Sequence, residues 1–70
     1  MTKSQLKVLV GQNVKKQRIR HGMTQNDLAE ILGMQPSSLA LMERGLRGTT
    51  FYTLFRLSKL FGLPVDIFFL

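Results

Sequence analysis

The chain has no cysteine, only two prolines, a single histidine and four acidic residues among its 70. Without cysteine it can form neither a disulfide nor a thiolate metal site, and this composition suits a reducing compartment. Its longest apolar run, Ile67 to Leu70, is far too short to span a bilayer. The N-terminal residues lack an unbroken apolar signal core and a small-residue cleavage site. These absences lead us to expect a cytoplasmic protein.

The residues that carry catalysis are equally sparse. The four acidic side chains are scattered along the chain, and His21 has no neighbouring group in the sequence that would give it a metal or catalytic role. No glycine-rich loop is placed to cradle a phosphate, and no nucleophile is paired with a base. We therefore expect no enzymatic activity, no cofactor and no metal.

Positive charge is what the chain has in excess. Ten Lys and Arg residues oppose the four acids, for a formal net charge of +6. Such a balance favours a polyanionic partner, although a solvated basic surface that improves solubility would have the same composition. The length predicts one domain, residues 1–70, which buries only about 60% of its unfolded surface and is marginally stable alone.

Apolar periodicity predicts helices throughout, with no strand signal, repeat or low-complexity stretch. Leu6, Val10 and Val14 recur on one face of a first helix, which we expect to run from about Ser4 to Arg20. Gln17 continues this face, which is an unexpected place for a polar side chain.

Two short amphipathic helices follow. Thr24 and Asp27 can form a capping box at the start of the second helix, and Gly33 can end it. Pro36 fits the first position of a third helix that ends near Arg44. On a helical wheel its inward residues are Leu39 and Met42, and its outward residues are Ser37, Leu41 and Arg44. The tight turn between the second and third helices indicates a helix-turn-helix. In this motif the later helix, here the third of the chain, is offered to a nucleic-acid groove.

The remainder predicts a fourth helix at about Phe51–Phe61, capped by Thr49 or Thr50, and a short fifth helix that begins at Pro64. The inner face of the fourth helix is expected to hold Phe51, Leu54, Leu57, Ser58 and Phe61. The sequence thus predicts an all-α domain of five helices.

Four segments together resemble the phage repressor and Cro family of helix-turn-helix DNA-binding domains: VKKQR, GMTQNDLAEILGM, SSLALMERG and TFYTLFRLSKLFGLPVDIF. They cover nearly the whole chain. Each is weak alone, but their order and spacing are specific in combination. The resemblance implies a compact lambda-repressor-like fold. It also implies a transcriptional regulator that binds double-stranded DNA as a homodimer on a palindromic operator.

The resemblance implies roles for individual residues. The positions that face base edges are Gln35, Pro36, Ser37 and Leu41. The positions that contact DNA phosphates are Gln25, Arg44 and Arg47. Arg18 and Glu43 match a buried ion pair that locks the first helix to the third. Because Pro36 and Leu41 stand where polar readers are common, specificity is expected to rest more on thymine methyl contacts and DNA shape than on bidentate hydrogen bonds.

The C-terminal end, about residues 60–70, carries more apolar side chains than a small core can bury. The resemblance directs Phe68 inward. The apolar residues left over, which we expect to form the dimer contact, are Leu60, Ile67, Phe69 and Leu70. The main alternative is an antitoxin-like or other protein-interaction module, in which this end of the domain holds a partner protein.

Overall fold

Capping chemistry and glycine placement divide the chain into its helices. A computed structural model, which describes all 70 residues, contains four α-helices and one 3-10 helix and no strand. The α-helices are α1 (Lys3–Arg20), α2 (Gln25–Leu32), α3 (Pro36–Glu43) and α4 (Phe51–Phe61), and the 3-10 helix spans Val65–Phe69. The predicted all-α fold is therefore confirmed. None of these helices combines the length and apolar character needed to cross a membrane.

The helix boundaries follow from local hydrogen bonds. In the capping box of α2, the backbone N–H of Thr24 donates to Asp27 Oδ2 at 2.9 Å, and the backbone N–H of Asp27 donates to Thr24 Oγ1 at 3.0 Å. Gly33 ends α2 at φ 68°, in the left-handed region that favours glycine. Pro36 then opens α3, where its missing N–H costs no hydrogen bond.

The predicted short fifth helix is present, but it is not an α-helix like the other four. It is a 3-10 helix of five residues, and the N–H of Ile67 donates to the carbonyl of Pro64 three residues earlier. In so short a segment few N–H groups can donate to a carbonyl four residues earlier, as an α-helix requires. The tighter 3-10 form is common in such short pieces. It packs against α1 and α4. The side-chain amide of Asn13 donates to the carbonyl of Phe68 at 2.9 Å and fastens the segment to α1.

One hydrophobic core joins all five elements. Its buried members are Val10, Val14, Leu28, Ala29, Leu32, Leu39, Met42, Leu54, Leu57, Phe61 and Phe68. Phe68 is fully buried, as the family resemblance implied. Phe51, expected on the inner face of α4, is 70% exposed, so that expectation is wrong. It lies one turn before Leu54, the first buried residue of the helix, and no other element covers that end.

α1 approaches the C-terminal end of α3 closely, and this contact fixes the position of α3. A Cβ atom at Gly11 would overlap the carbonyl oxygen of Met42 and would lie 2.8 Å from that of Glu43. Only glycine permits the two backbones to come this close.

A separate contact joins α4 to α2: the guanidinium of Arg56 donates to the carbonyls of Ile31 and Leu32, at 2.6 and 3.0 Å. Arg56 thereby ties α4 to the end of α2.

Candidate nucleic-acid interface

The outward face of α3 presents the residues predicted to read bases. Leu39 and Met42 are buried beneath α3, as the helical wheel predicted. The side chains on its outer surface are Gln35, Pro36, Ser37, Leu41 and Arg44, all of them exposed. Gln35 precedes the helix in extended conformation, and its side chain makes no capping hydrogen bond. This amide is therefore available to a ligand that approaches the N-terminal end of α3.

A buried polar cluster holds α3 against α1. Arg18 donates from Nε to Glu43 Oε2 at 2.7 Å and from Nη2 to Glu43 Oε1 at 3.1 Å. Both residues are buried, at 8% and 4% exposure, so the implied buried pair is present in the structure. A bidentate arginine–carboxylate pair fixes orientation as well as distance. The same guanidinium donates from Nη1 to the carbonyl of Met23 at 2.8 Å and so braces the start of α2 as well.

Gln25 belongs to this cluster as well as to the surface. Its side-chain Nε2 donates to Glu43 Oε1 at 3.0 Å, while the residue remains partly exposed as the first residue of α2. A primary amide carries two N–H donors, so one remains for a ligand such as a phosphate oxygen. The position also lies at the positive end of a helix, which favours anions. The phosphate role of Gln25 remains a prediction with this geometry in its support.

Positive charge borders the outer face of α3 on the C-terminal side. Arg44 and Arg47 are both exposed, and Arg47 donates from Nη1 to Ser38 Oγ at 2.8 Å. The acidic member of α3, Glu43, is buried and neutralised by Arg18.

The pKa of Asp27 is lowered by its hydrogen bonds with Thr24, of which the backbone bond has the larger effect and the side-chain bond the smaller. No cluster of three histidine or acidic side chains could hold a metal ion.

The residues expected at a dimer contact are not all exposed. Phe69 and Leu70 are exposed, and Phe69 borders a recess together with Leu6 and Leu54. Ile67, expected to be left over at the surface, is half-buried against the core, which corrects that expectation. The reason is that the short 3-10 helix lies between α1 and α4 and buries part of each of its sides.

Leu60 is exposed on another flank of α4. It lies nine positions after Phe51, which is about two and a half turns, so the two side chains leave the helix on opposite sides. Arg56, four residues before Leu60, reaches toward α2. Phe51 and Phe55 occupy the other side and are exposed. Apolar periodicity placed Phe51 on the inner face because it does not reveal which part of a helix is covered by another element.

The fold and this surface define a class of protein: a helix-turn-helix protein in which the outer face of α3 is exposed and bordered by arginines. A family model described as helix-turn-helix matches residues 14–68. The match covers most of the chain, which therefore belongs to the Cro/C1-type helix-turn-helix family.

A solved structure of high similarity is that of the restriction-modification controller protein C.AhdI from Aeromonas hydrophila. It is 26% identical to this chain, with a TM-score of 0.78, and the alignment covers 89% of this chain and 94% of that one. No curated protein sequence matches. Family and structural similarity together indicate a DNA-binding transcription regulator.

Proposed function

We propose that this chain regulates transcription in the cytoplasm by binding a palindromic DNA operator as a homodimer, with α3 in the major groove. It acts as a binding protein and not as an enzyme. The observation that carries the proposal is the exposed face of α3, which the buried pair of Arg18 and Glu43 holds in a fixed orientation. The similar structure is that of a controller protein, which fits a regulatory role.

In this proposal, base recognition comes from a small set of side chains. The Gln35 amide can bond N6 and N7 of adenine, and the Ser37 hydroxyl can donate to or accept from a base edge. Pro36 and Leu41 offer apolar surface to a thymine methyl group. Since few hydrogen-bonding readers are available, the shape and deformability of the operator contribute the remaining specificity.

Phosphate contacts position the domain on the duplex. Gln25 reaches a phosphate at one end of the interface, and Arg44 and Arg47 reach phosphates at the other. Each neutralised phosphate releases condensed counterions, so affinity falls as salt concentration rises. The net charge of +6 adds long-range attraction.

The homodimer is proposed to form through Phe69 and Leu70, together with Phe51 on the adjacent end of α4. Phe69 lines the same recess as Leu54, which lies one turn from Phe51 on the same helix. Exposed apolar surface of this kind marks interfaces. A two-fold dimer would place the recognition helices one DNA turn apart, about 34 Å, to match a palindrome. Leu60 leaves α4 on the side opposite Phe51, and we do not include it in this surface.

Selection of duplexes from a random pool tests the DNA-binding part of the proposal. The parent chain is expected to enrich an inverted repeat. Gln35→Ala or Ser37→Ala should change the preferred base at one position in each half-site, by about 1–3 kcal/mol where a good contact exists. Failure to enrich any sequence would contradict the proposal. If both variants selected the parental consensus, these two residues would not be readers.

Sedimentation equilibrium tests the homodimer. We expect the parent chain to be dimeric at micromolar concentration and the double variant Phe69→Asp, Leu70→Ser to be monomeric, with weaker operator binding. Leu60→Ser is the matched control, and it should remain dimeric. A parent chain that stays monomeric at high concentration would contradict the homodimer. In that case, the antitoxin-like alternative predicts a stable complex with a separate partner protein.

A further inference from the structure

The side chain of Arg47 is held by a hydrogen bond within the protein itself. Its Nη1 donates to Ser38 Oγ at 2.8 Å. Ser38 lies in the first turn of α3, and Arg47 lies in the loop beyond the last turn. About 7.5 Å of helix rise separates Ser38 from the end of α3. The arginine side chain must therefore run back along the helix to make this bond.

The bond leaves the guanidinium able to bind a phosphate. A guanidinium has five N–H donors, and Ser38 accepts from one of them. The other donors stay available, and the side chain is exposed. A free arginine loses rotamer freedom when it binds, and a side chain that is already ordered loses less.

We propose that Ser38 is a positioning residue for DNA binding: it orients Arg47 along α3 and thereby strengthens its phosphate contact. This inference rests on the proposed DNA-binding function and adds a residue to which neither the sequence nor the family resemblance gave a role. Its neighbour Ser37 points outward as a predicted base reader, whereas Ser38 is half-buried and acts through Arg47.

The two predicted phosphate contacts with orienting partners differ in how they are held. Gln25 is held by Glu43, whose carboxylate belongs to the buried cluster that also supports the fold. Arg47 is held by the hydroxyl of Ser38 in a hydrogen bond at the surface of the protein. Removing the Ser38 hydroxyl should therefore affect binding without unfolding the domain, which makes this contact the one that can be tested cleanly.

The test is a double-mutant cycle of Ser38→Ala and Arg47→Ala, measured on two 30-base-pair duplexes, one selected by the parent chain and one of arbitrary sequence. Ser38→Ala should weaken binding to both duplexes by about two- to tenfold. In the Arg47→Ala background it should have less than about a twofold further effect. Ser38→Thr should restore binding because it retains the hydroxyl. Ser58→Ala, a half-buried helical serine on α4, is the matched control and should bind as the parent does.

Two further measurements separate positioning from direct contact. Arg47→Ala should reduce the salt slope of log affinity by about 0.9, the value for one phosphate, whereas Ser38→Ala should leave the slope unchanged. Relaxation of the Arg47 Nε–H group by NMR, without DNA, should show a lower order parameter in Ser38→Ala than in the parent.

Each remaining outcome overturns the inference in a recognisable way. An equal loss from Ser38→Ala with and without Arg47 would mean that Ser38 contacts DNA itself. Parental affinity in Ser38→Ala, or an unchanged Arg47 order parameter, would show that the hydrogen bond does no positioning. A parent chain that binds neither duplex would overturn the proposed function, whatever the relaxation data showed.

Discussion

The first fifty residues and the last twenty differ in the side chains that pack them and in the side chains that they leave exposed. All five phenylalanines and the single tyrosine lie after residue 50. The first part, α1 to α3, is held by aliphatic packing and by the buried cluster around Arg18 and Glu43. The second part contributes two buried aromatic residues, Phe61 and Phe68, and leaves Phe51, Tyr52, Phe55 and Phe69 exposed.

This difference indicates that the two parts of the domain have different roles, one in orienting α3 and the other in association. The α1–α3 part needs a fixed orientation for the face of α3, and a bidentate ion pair supplies direction that aliphatic contacts cannot. The C-terminal part has more aromatic surface than its core can bury, and such surface is suited to association with another copy. The following variants test whether orientation and association are as separate as this comparison implies.

The largest effect is expected from breaking the buried cluster. Arg18→Ala removes one partner of a buried pair and leaves the Glu43 carboxylate without its guanidinium. Such changes cost about 3–5 kcal/mol of folding free energy, which is a large share of the stability of a small domain. Urea unfolding followed by circular dichroism measures the loss. Lys16→Ala, an exposed residue on the same helix, should stay within about 0.5 kcal/mol of the parent. Equal, small changes in both variants would refute a stabilising role for the pair.

Two phenylalanines of the C-terminal part should also differ strongly in how much they contribute to the free energy of unfolding. Phe68→Ala empties a fully buried site in contact with α1 and is expected to cost about 3–5 kcal/mol. Phe51→Ala removes an exposed ring, so the unfolding free energy of the monomer should change by less than about 0.5 kcal/mol. Thermal melts at low protein concentration, where dimer formation contributes little, make the comparison. A large loss in Phe51→Ala under those conditions would place Phe51 in the core.

The crossing of α1 over α3 gives a third, smaller effect. Gly11→Ala places a methyl group against the backbone of Met42 and Glu43, which cannot move aside as a flexible side chain would. Overpacking of this kind costs about 1–3 kcal/mol, although alanine is the better helix former. Gln12→Ala, its exposed neighbour, should be nearly neutral. If Gly11→Ala were as stable as the parent, the two helices would not approach this closely in solution.

Local chemistry made the helix-turn-helix largely predictable. The capping box at Thr24, the turn at Gly33 and the proline that opens α3 all depend on residues within a few positions of one another. The inward positions of Leu39 and Met42 follow from helical periodicity. The buried pair of Arg18 and Glu43 came only from the family resemblance, because partners 25 residues apart have no local signal.

What could not be predicted depends on tertiary placement. The bond between Arg47 and Ser38 joins residues nine positions apart, one in α3 and one in the loop after it, and no local sequence signal pairs them. Phe51 was expected to be buried because it lies one helical turn before Leu54, but periodicity does not show that no other element covers that end of α4. The C-terminal segment became a 3-10 helix because its five residues are too few for a stable α-helix.

The smallest expected effect lies at the capping box of α2 and depends on pH. The hydrogen bonds with Thr24 lower the pKa of Asp27 below its ordinary value of 3.8, so the ionised carboxylate favours the folded state. Its contribution to stability should be complete above the unfolded-state pKa and should disappear as pH falls through the lower folded-state pKa. Thermal melts of the parent and of Asp27→Asn, recorded from about pH 6 down to about pH 2, isolate this contribution from that of Glu43. The parent should be the more stable at the upper end, and the gap should close toward the lower end. The exposed position of Asp27 makes the gap small, and a gap that stayed constant across the range would exclude its charge as the cause.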